Sequence, residues 1–242
     1  MGTFKLTYKR YGKNAILIEW PKKIDKNILD DVIFFKNKVI QNYTKQIVDV
    51  INTYNSLTII YNNTINIVYD NILDLKSLYG QEISQKKVKN YRWEIPVCYD
   101  YKFGLDLGEL GLKNNLTLRE IISLHSSQIY TVYFIGFLPG FLYLGGLDKK
   151  LHIPRKANPR LRIERGSVAI GGSQTGIYPS MSASGWHIIG NSPISFFDIE
   201  FKDPCFAKSG DEIQFIPIDL DEHFQIESQV AKGFYELKKS EI

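Results

Sequence analysis

Hydrophobic positions follow two different periods along this chain. Ile28, Val32, Phe35 and Val39 are spaced by four, three and four residues, which predicts an amphipathic helix over 26–41. Short β-prone runs at 15–20, 47–51, 57–61 and 65–69 surround it, with Asn-rich breaks between them. Ile72, Leu75 and Leu78 predict a second helix ending before Gly80. This order fits a small α+β sandwich, and residues 1–82 are assigned to it as an N-terminal α/β domain. A polar, lysine-bearing stretch follows, and 83–90 is read as a linker. From 91 to 242 the pattern changes. Residues 91–97 and 129–135 alternate as strands, and Thr117-Leu118-Arg119-Glu120 is a capping box that opens a short helix towards His125. Beyond Gly136 come short β-runs punctuated by Gly and Pro as far as Pro217, the pattern of a compact barrel or sandwich. Residues 230–236 are read as a terminal helix.

Composition adds local information to this outline. The chain has 242 residues with 30 basic and 26 acidic side chains, a net +4 that falls short of a nucleic-acid-binding arm. Residues 136–193 hold ten of the 18 Gly and five of the nine Pro, and four of the seven Arg fall within 155–165. The first 90 residues contain only three Gly and one Pro. Cys98 and Cys205 have no CxxC spacing and read as ordinary thiols of a reducing compartment. The N-terminus lacks the apolar core of a signal peptide. Residues 126–147 are uncharged and long enough to span a bilayer, but Gly136 and Pro139-Gly140 interrupt them. They are read as a buried strand and turn, and the protein as cytoplasmic with no membrane or nucleic-acid partner.

Several groups are candidates for chemistry. The stretch 149–165 is strongly basic, and Arg155 and Arg160 each follow a proline that stiffens the backbone from which they leave. A guanidinium held in this way can grip carboxylate or phosphate through two parallel hydrogen bonds. The run Gly171-Gly172-Ser173-Gln174-Thr175-Gly176 permits close backbone approach to a ligand. Ile177-Tyr178 stand where a phosphate loop requires Lys-Ser or Lys-Thr, so that motif is excluded. Gln174, Thr175 and Tyr178 remain as neutral groups that can line a pocket. The four histidines, His125, His152, His187 and His223, are too widely spaced for a zinc site, which leaves single-histidine acid–base work at His125 or His187. Ser173 fails the nucleophile-elbow pattern. Asp100, Asp106 and Glu109 form an acidic group able to accept a proton or hold Mg²⁺.

Several of these motifs occur together in one order. They are Gly136-Phe137 with Pro139-Gly140-Phe141, Pro154-Arg155, Pro159-Arg160, Gly166-Ser167-Val168-Ala169-Ile170, Gln174-Thr175-Gly176-Ile177-Tyr178-Pro179 and Gly185-Trp186. In this the chain resembles the 5-oxoprolinase B-subunit family, also known as allophanate hydrolase subunit 1, which includes a sporulation histidine-kinase inhibitor. The resemblance implies an α+β protein with a small N-terminal α/β sandwich followed by a cyclophilin-like β-barrel. It implies a cytoplasmic subunit that works with an allophanate hydrolase subunit 2 type protein (the 5-oxoprolinase C-subunit) and a third oxoprolinase subunit. The assembly would open the lactam 5-oxoproline to glutamate with ATP, and Mg, bound by the complex. On that footing His125, Arg155 and Arg160 are the expected catalytic residues. Gly172, Gln174, Thr175, Tyr178 and Trp186 are the expected substrate-binding residues, and no metal ligands are expected on this chain. Histidine-kinase inhibition and a urea-pathway allophanate hydrolase remain alternatives. The chain departs from the family pattern at Leu105, at Glu164-Arg165 and at Ala183-Ser184.

Overall fold

The computed structural model describes residues 4–81 and 89–242, and the chain separates into two compact units, Met1–Val88 and Lys89–Ile242. The linker expected at 83–90 lies outside the described residues apart from Lys89 and Asn90.

The first unit contains β1 (Thr7–Tyr11), β2 (Ala15–Glu19), α1 (Lys26–Tyr43), β3 (Ile47–Asn52), β4 (Ser56–Tyr61) and α2 (Val68–Gly80). Its strands form one antiparallel sheet in the order β1-β2-β4-β3. Asp25 caps α1 by accepting from the Asn27 N–H. The predicted stripe Ile28, Val32, Phe35 and Val39 is fully buried against Ile16, Ile18, Leu57 and Ile59. Lys38 is also buried, and its ammonium donates to the carbonyls of Leu78, Tyr79 and Gln81, at and just beyond the C-terminal end of α2. The strand expected at 65–69 is not formed. β4 already has β2 and β3 on its two edges, so the chain leaving it finds no place beside β4. Ile65 plugs into the core instead, and the helical spacing of Ile72, Leu75 and Leu78 governs from Val68 onward.

The second unit runs β5 (Tyr91–Cys98), α3 (Leu107–Asn114), α4 (Leu118–Ser126), β6 (Ile129–Ile135), β7 (Leu142–Gly145) and a 3₁₀ turn (Lys149–Leu151). It continues with β8 (Arg160–Ile163), β9 (Ser167–Gly171), β10 (Gln174–Ile177), β11 (Ser182–Ser184), β12 (His187–Asn191), β13 (Glu212–Ile218), α5 (Leu220–Ala231) and β14 (Lys239–Glu241). Seven strands in the order β12-β9-β10-β7-β6-β13-β5 form a barrel, closed where Asn191 of β12 pairs with Cys98 of β5. β14 covers the other end of the same edge of β5, at Trp93. Val132, Leu144, Val168, Ile170, Ile177, Ile189, Ile213 and Phe215 fill the interior. The uncharged stretch 126–147 is accounted for by β6, β7 and the turn between them. Among the described residues no helix is long and apolar enough to cross a membrane.

Both halves of the Thr117–Glu120 capping box are present at the start of α4. The expected terminal helix is displaced. α5 begins after the Asp219 cap and ends at Ala231, and Gly233 with φ 73° turns the chain out of it. Its inward face is His223, Ile226 and Val230, so a polar residue at one core position conceals the apolar period.

Candidate functional site

The glycines of the 171–176 run make room for aromatic rings. A Cβ on Gly171 would lie 2.6 Å from atoms of the Trp186 indole, and one on Gly176 would lie 2.9 Å from the Phe141 ring. β-strand alternation sends Thr175 and Ile177 into the barrel and Gln174 and Gly176 to its outer face. There Phe141, Tyr178 and Trp186 pack edge to face, with centroids 4.9 Å (Phe141–Tyr178) and 5.8 Å (Phe141–Trp186) apart. The Tyr178 hydroxyl accepts from Ser184 Oγ at 2.9 Å, and Ser184 Oγ in turn accepts from the Trp186 N–H at 3.0 Å. The exposed Arg155 lies across this buried floor, its guanidinium carbon 5.6 Å from the Trp186 ring centre. Phe137, the other exposed member of the cluster, has φ 69°, in the left-handed region that side-chain-bearing residues rarely adopt. Gln174 lies cross-strand from Gly171, the glycine over which the indole packs.

A polar cluster holds the arm that carries Arg155. Asp106, almost fully buried, accepts from both terminal nitrogens of Arg160 at 2.6 and 2.7 Å, from Lys156 at 2.9 Å and from the Ile188 N–H at 2.7 Å. Lys156 also reaches Glu109 at 2.5 Å, and its N–H donates to the Gly185 carbonyl at 2.7 Å. Glu109 further pairs with Lys113 at 2.8 Å and faces His187 Nε2 at 3.4 Å. Burial opposes ionisation of Asp106, yet the bonds from Arg160, Lys156 and Ile188 outweigh it and lower its pKa. Lys113 and then Lys156 pull Glu109 down to about 2. The arm from Pro154 to Arg160 is thus fastened at Lys156 and Arg160 and presents Arg155 immediately before the first of these anchors.

The structure brings Arg155, Tyr178 and Trp186 together with Gln174 close by, and gives the other predicted residues different work. Arg160 is spent on Asp106 and offers no open fork to an anion. Gly172 adopts φ 66° in the β9–β10 turn, and its N–H and carbonyl both pair with Ile153, at 2.7 and 3.1 Å. Thr175 and His125 lie inside the barrel. Thr175 Oγ1 donates to the Ala169 carbonyl, so His125 Nε2–H must donate to Thr175 Oγ1 at 2.9 Å, and Nδ1 accepts from the Tyr99 hydroxyl at 2.7 Å. The imidazole stacks on Phe215 at 4.5 Å, and burial lowers its pKa to about 3. His125 is therefore a neutral core side chain with both nitrogens occupied, remote from the Arg155 face. Asp100 does not join the acidic group and instead accepts from the Lys102 N–H. Sequence reading missed Lys156 as an anchor, and nothing local signals it, because its carboxylate partners come from α3.

These residues do not fit a magnesium nucleotide. Asp106 and Glu109 are neutralised by Lys156, Arg160 and Lys113, and the Gly172 N–H that could face a phosphate is bonded to Ile153. Among the described residues no three His, Cys, Asp or Glu side chains gather as metal ligands.

Comparison with known proteins agrees with this architecture. Residues 6–207 match the family model of the carboxyltransferase domain, subdomain C and D. The chain is 39% identical over 171 residues to the 5-oxoprolinase B-subunit of Escherichia coli O157:H7, covering 71% of this chain and 78% of that one. It is 30% identical over 226 residues to the 5-oxoprolinase B-subunit of Bacillus subtilis (strain 168), covering 89% and 94%. The crystal structure of the Kluyveromyces lactis urea amidolyase superposes on all of this chain with a TM-score of 0.83 at 21% identity, and the match spans 16% of that much longer chain, a likeness of fold.

Proposed function

The chain belongs to the 5-oxoprolinase B-subunit family, and on that premise we propose that it serves as the B-subunit of a multi-subunit, ATP-dependent hydrolase that opens 5-oxoproline to glutamate. The observation that carries the reading is Arg155, a cation stacked on Trp186 and exposed on one side, with Gln174 leaving the outer face of the strand pair over which that indole packs. 5-Oxoproline offers a carboxylate for a guanidinium fork and a lactam amide for the side-chain amide of glutamine. Tyr178 and Trp186 form the rigid floor that fixes Arg155, and the Asp106 cluster fixes the arm. Arg155 and Gln174 then bind and orient the lactam, while Arg160 positions and His125 stabilises the barrel. The face is open on this chain, which suits completion of the site by a partner of the allophanate hydrolase subunit 2 type. The nucleotide, for which these residues offer no cradle, belongs in this reading to the rest of the assembly.

The test is reconstitution with the partner subunits and measurement of 5-oxoproline-dependent ATP hydrolysis. Activity that requires this chain and is lost in Arg155→Met supports the assignment. A complete complex that turns over equally well with Arg155→Met rules out the Arg155 role, and one that is inert towards 5-oxoproline rules out the substrate.

A further inference from the structure

A second polar crevice lies at the opposite end of the β9–β12 pair from Trp186. Trp186 packs over Gly171 at one end of β9, whereas Asn191 pairs with Ser167 at the other, four residues or about 13 Å away. The crevice encloses about 260 Å³ and is lined by Phe103, Glu164, Arg165, Asn191, His223, Phe224 and Glu227. That volume is just below the roughly 300–1,000 Å³ of common ligand pockets, so it suits a molecule smaller than a nucleotide.

Within the crevice the hydrogen bonds leave a buried nitrogen of His223 unsatisfied. Asn191 Nδ2 donates to the Arg165 carbonyl at 2.7 Å, which fixes Asn191 Oδ1 as an acceptor. His223 Nε2 lies 2.9 Å from that oxygen and must carry the proton. His223 Nδ1 is then a bare lone pair, buried and without a donor among the described residues. Leaving such a group unpaired costs about 1–3 kcal/mol. His223 is held in place by Phe103, whose ring lies 4.3 Å away at 35°. At the rim the carboxylate of Glu227, one helical turn beyond His223, and the guanidinium of Arg165 make no ion pair with the described residues, and both are exposed. Gly166 with φ 80° sets the turn that carries Arg165, since a Cβ there would lie 2.1 Å from the Ser192 carbonyl oxygen.

We propose that this crevice binds a free α-amino acid, its ammonium donating to His223 Nδ1 and pairing with Glu227 while its carboxylate is gripped by Arg165. An ammonium supplies the donor that Nδ1 lacks, and it binds there without help from the Phe103 and Phe224 faces, over which Lys102 Nζ already lies at 6.0 and 4.5 Å. A carboxylate on the same ligand completes Arg165. The site does not depend on the lactam reaction, so either reading can fail alone.

The test uses the full-length chain labelled with ¹⁵N-histidine, with L-glutamate as the probe. Saturable movement of the His223 Nδ1 resonance is expected. The apparent affinity should weaken by about tenfold or more in Arg165→Met and in Glu227→Gln, both exposed positions, and should be unchanged in Arg155→Met. Glutarate and 5-oxoproline, which lack the ammonium, should leave the resonance in place. Absence of saturable movement, movement that survives both rim variants, or equal movement with glutarate would overturn the assignment.

Discussion

The two Pro-Arg pairs are indistinguishable as sequence, and the structure gives them opposite roles. Arg160 is locked by two hydrogen bonds to a buried carboxylate 54 positions upstream, whereas Arg155 rests on an indole and faces outward. The consequences of removing them should therefore separate. Arg155→Met gives up a contact worth about 0.5–1 kcal/mol at an exposed site, so its thermal midpoint should stay near that of the parent while turnover of the reconstituted complex collapses. Arg160→Met strands the buried Asp106 with only Lys156 and the Ile188 N–H, and, with Arg160 itself partly exposed, should lower stability by about 1.5–3 kcal/mol before activity is considered. Thermal unfolding of the two variants side by side checks this, and equal midpoints would contradict the division. At this scale the sequence identified Arg155, Tyr178 and Trp186 as members of recurring motifs. It had no means of showing that Arg160 and His125 were already occupied, because their partners Asp106, Tyr99 and Thr175 arrive through the fold.

At the level of elements, signals confined to a few neighbouring residues were readable. The Thr117 capping box and the α1 stripe need only local geometry, and both appear as expected. Signals that depend on topology were not. The 65–69 run has strand composition, but the sheet has no edge to give it beside β4, and α5 hides its period because His223 occupies a core position. The arm between Pro154 and Arg160 is likewise a product of distant contacts, since its fasteners reach α3. Asp106→Asn removes the charge that holds both Lys156 and Arg160 while keeping the side-chain size. Trypsin should then cut after Arg155, Lys156 or Arg160 markedly faster than in the parent, and 5-oxoproline KM should rise with it. Unchanged cleavage would mean that the arm is held by something other than this cluster. The glycines under the rings make a separate prediction. Gly176→Ala places a methyl group 2.9 Å from Phe141 and 3.0 Å from the Leu142 carbonyl oxygen, an overpacking expected to cost about 1–3 kcal/mol in a urea titration.

Taken as a whole, the barrel unit is built to lose stability in mild acid. His125, His187 and His223 are all buried, and burial lowers the pKa of each, that of His125 to about 3. In the unfolded chain each imidazole takes up a proton near its ordinary value of 6.5, while the folded chain resists it. The unfolded state therefore binds more protons, so stability is fully present above about 6.5 and falls as pH drops through that value. For His125 the fall continues until pH nears 3, where the folded form also protonates. Asp106 and Glu109, whose pKa values are lowered, act in the same direction, but only below their unfolded values of 3.8 and 4.5. The interval between about pH 6 and pH 5 therefore isolates the histidines. Each one kept neutral steepens the loss by up to about 1.4 kcal/mol per pH unit. Urea unfolding at pH 7.5, 6 and 5 should show the parent weakening across that interval. His125→Gln, less stable at neutral pH because it gives up the ring stack on Phe215, should weaken less steeply by about one proton's worth. Identical slopes in the two proteins would mean that His125 can protonate in place, and would restore it as a candidate for moving protons.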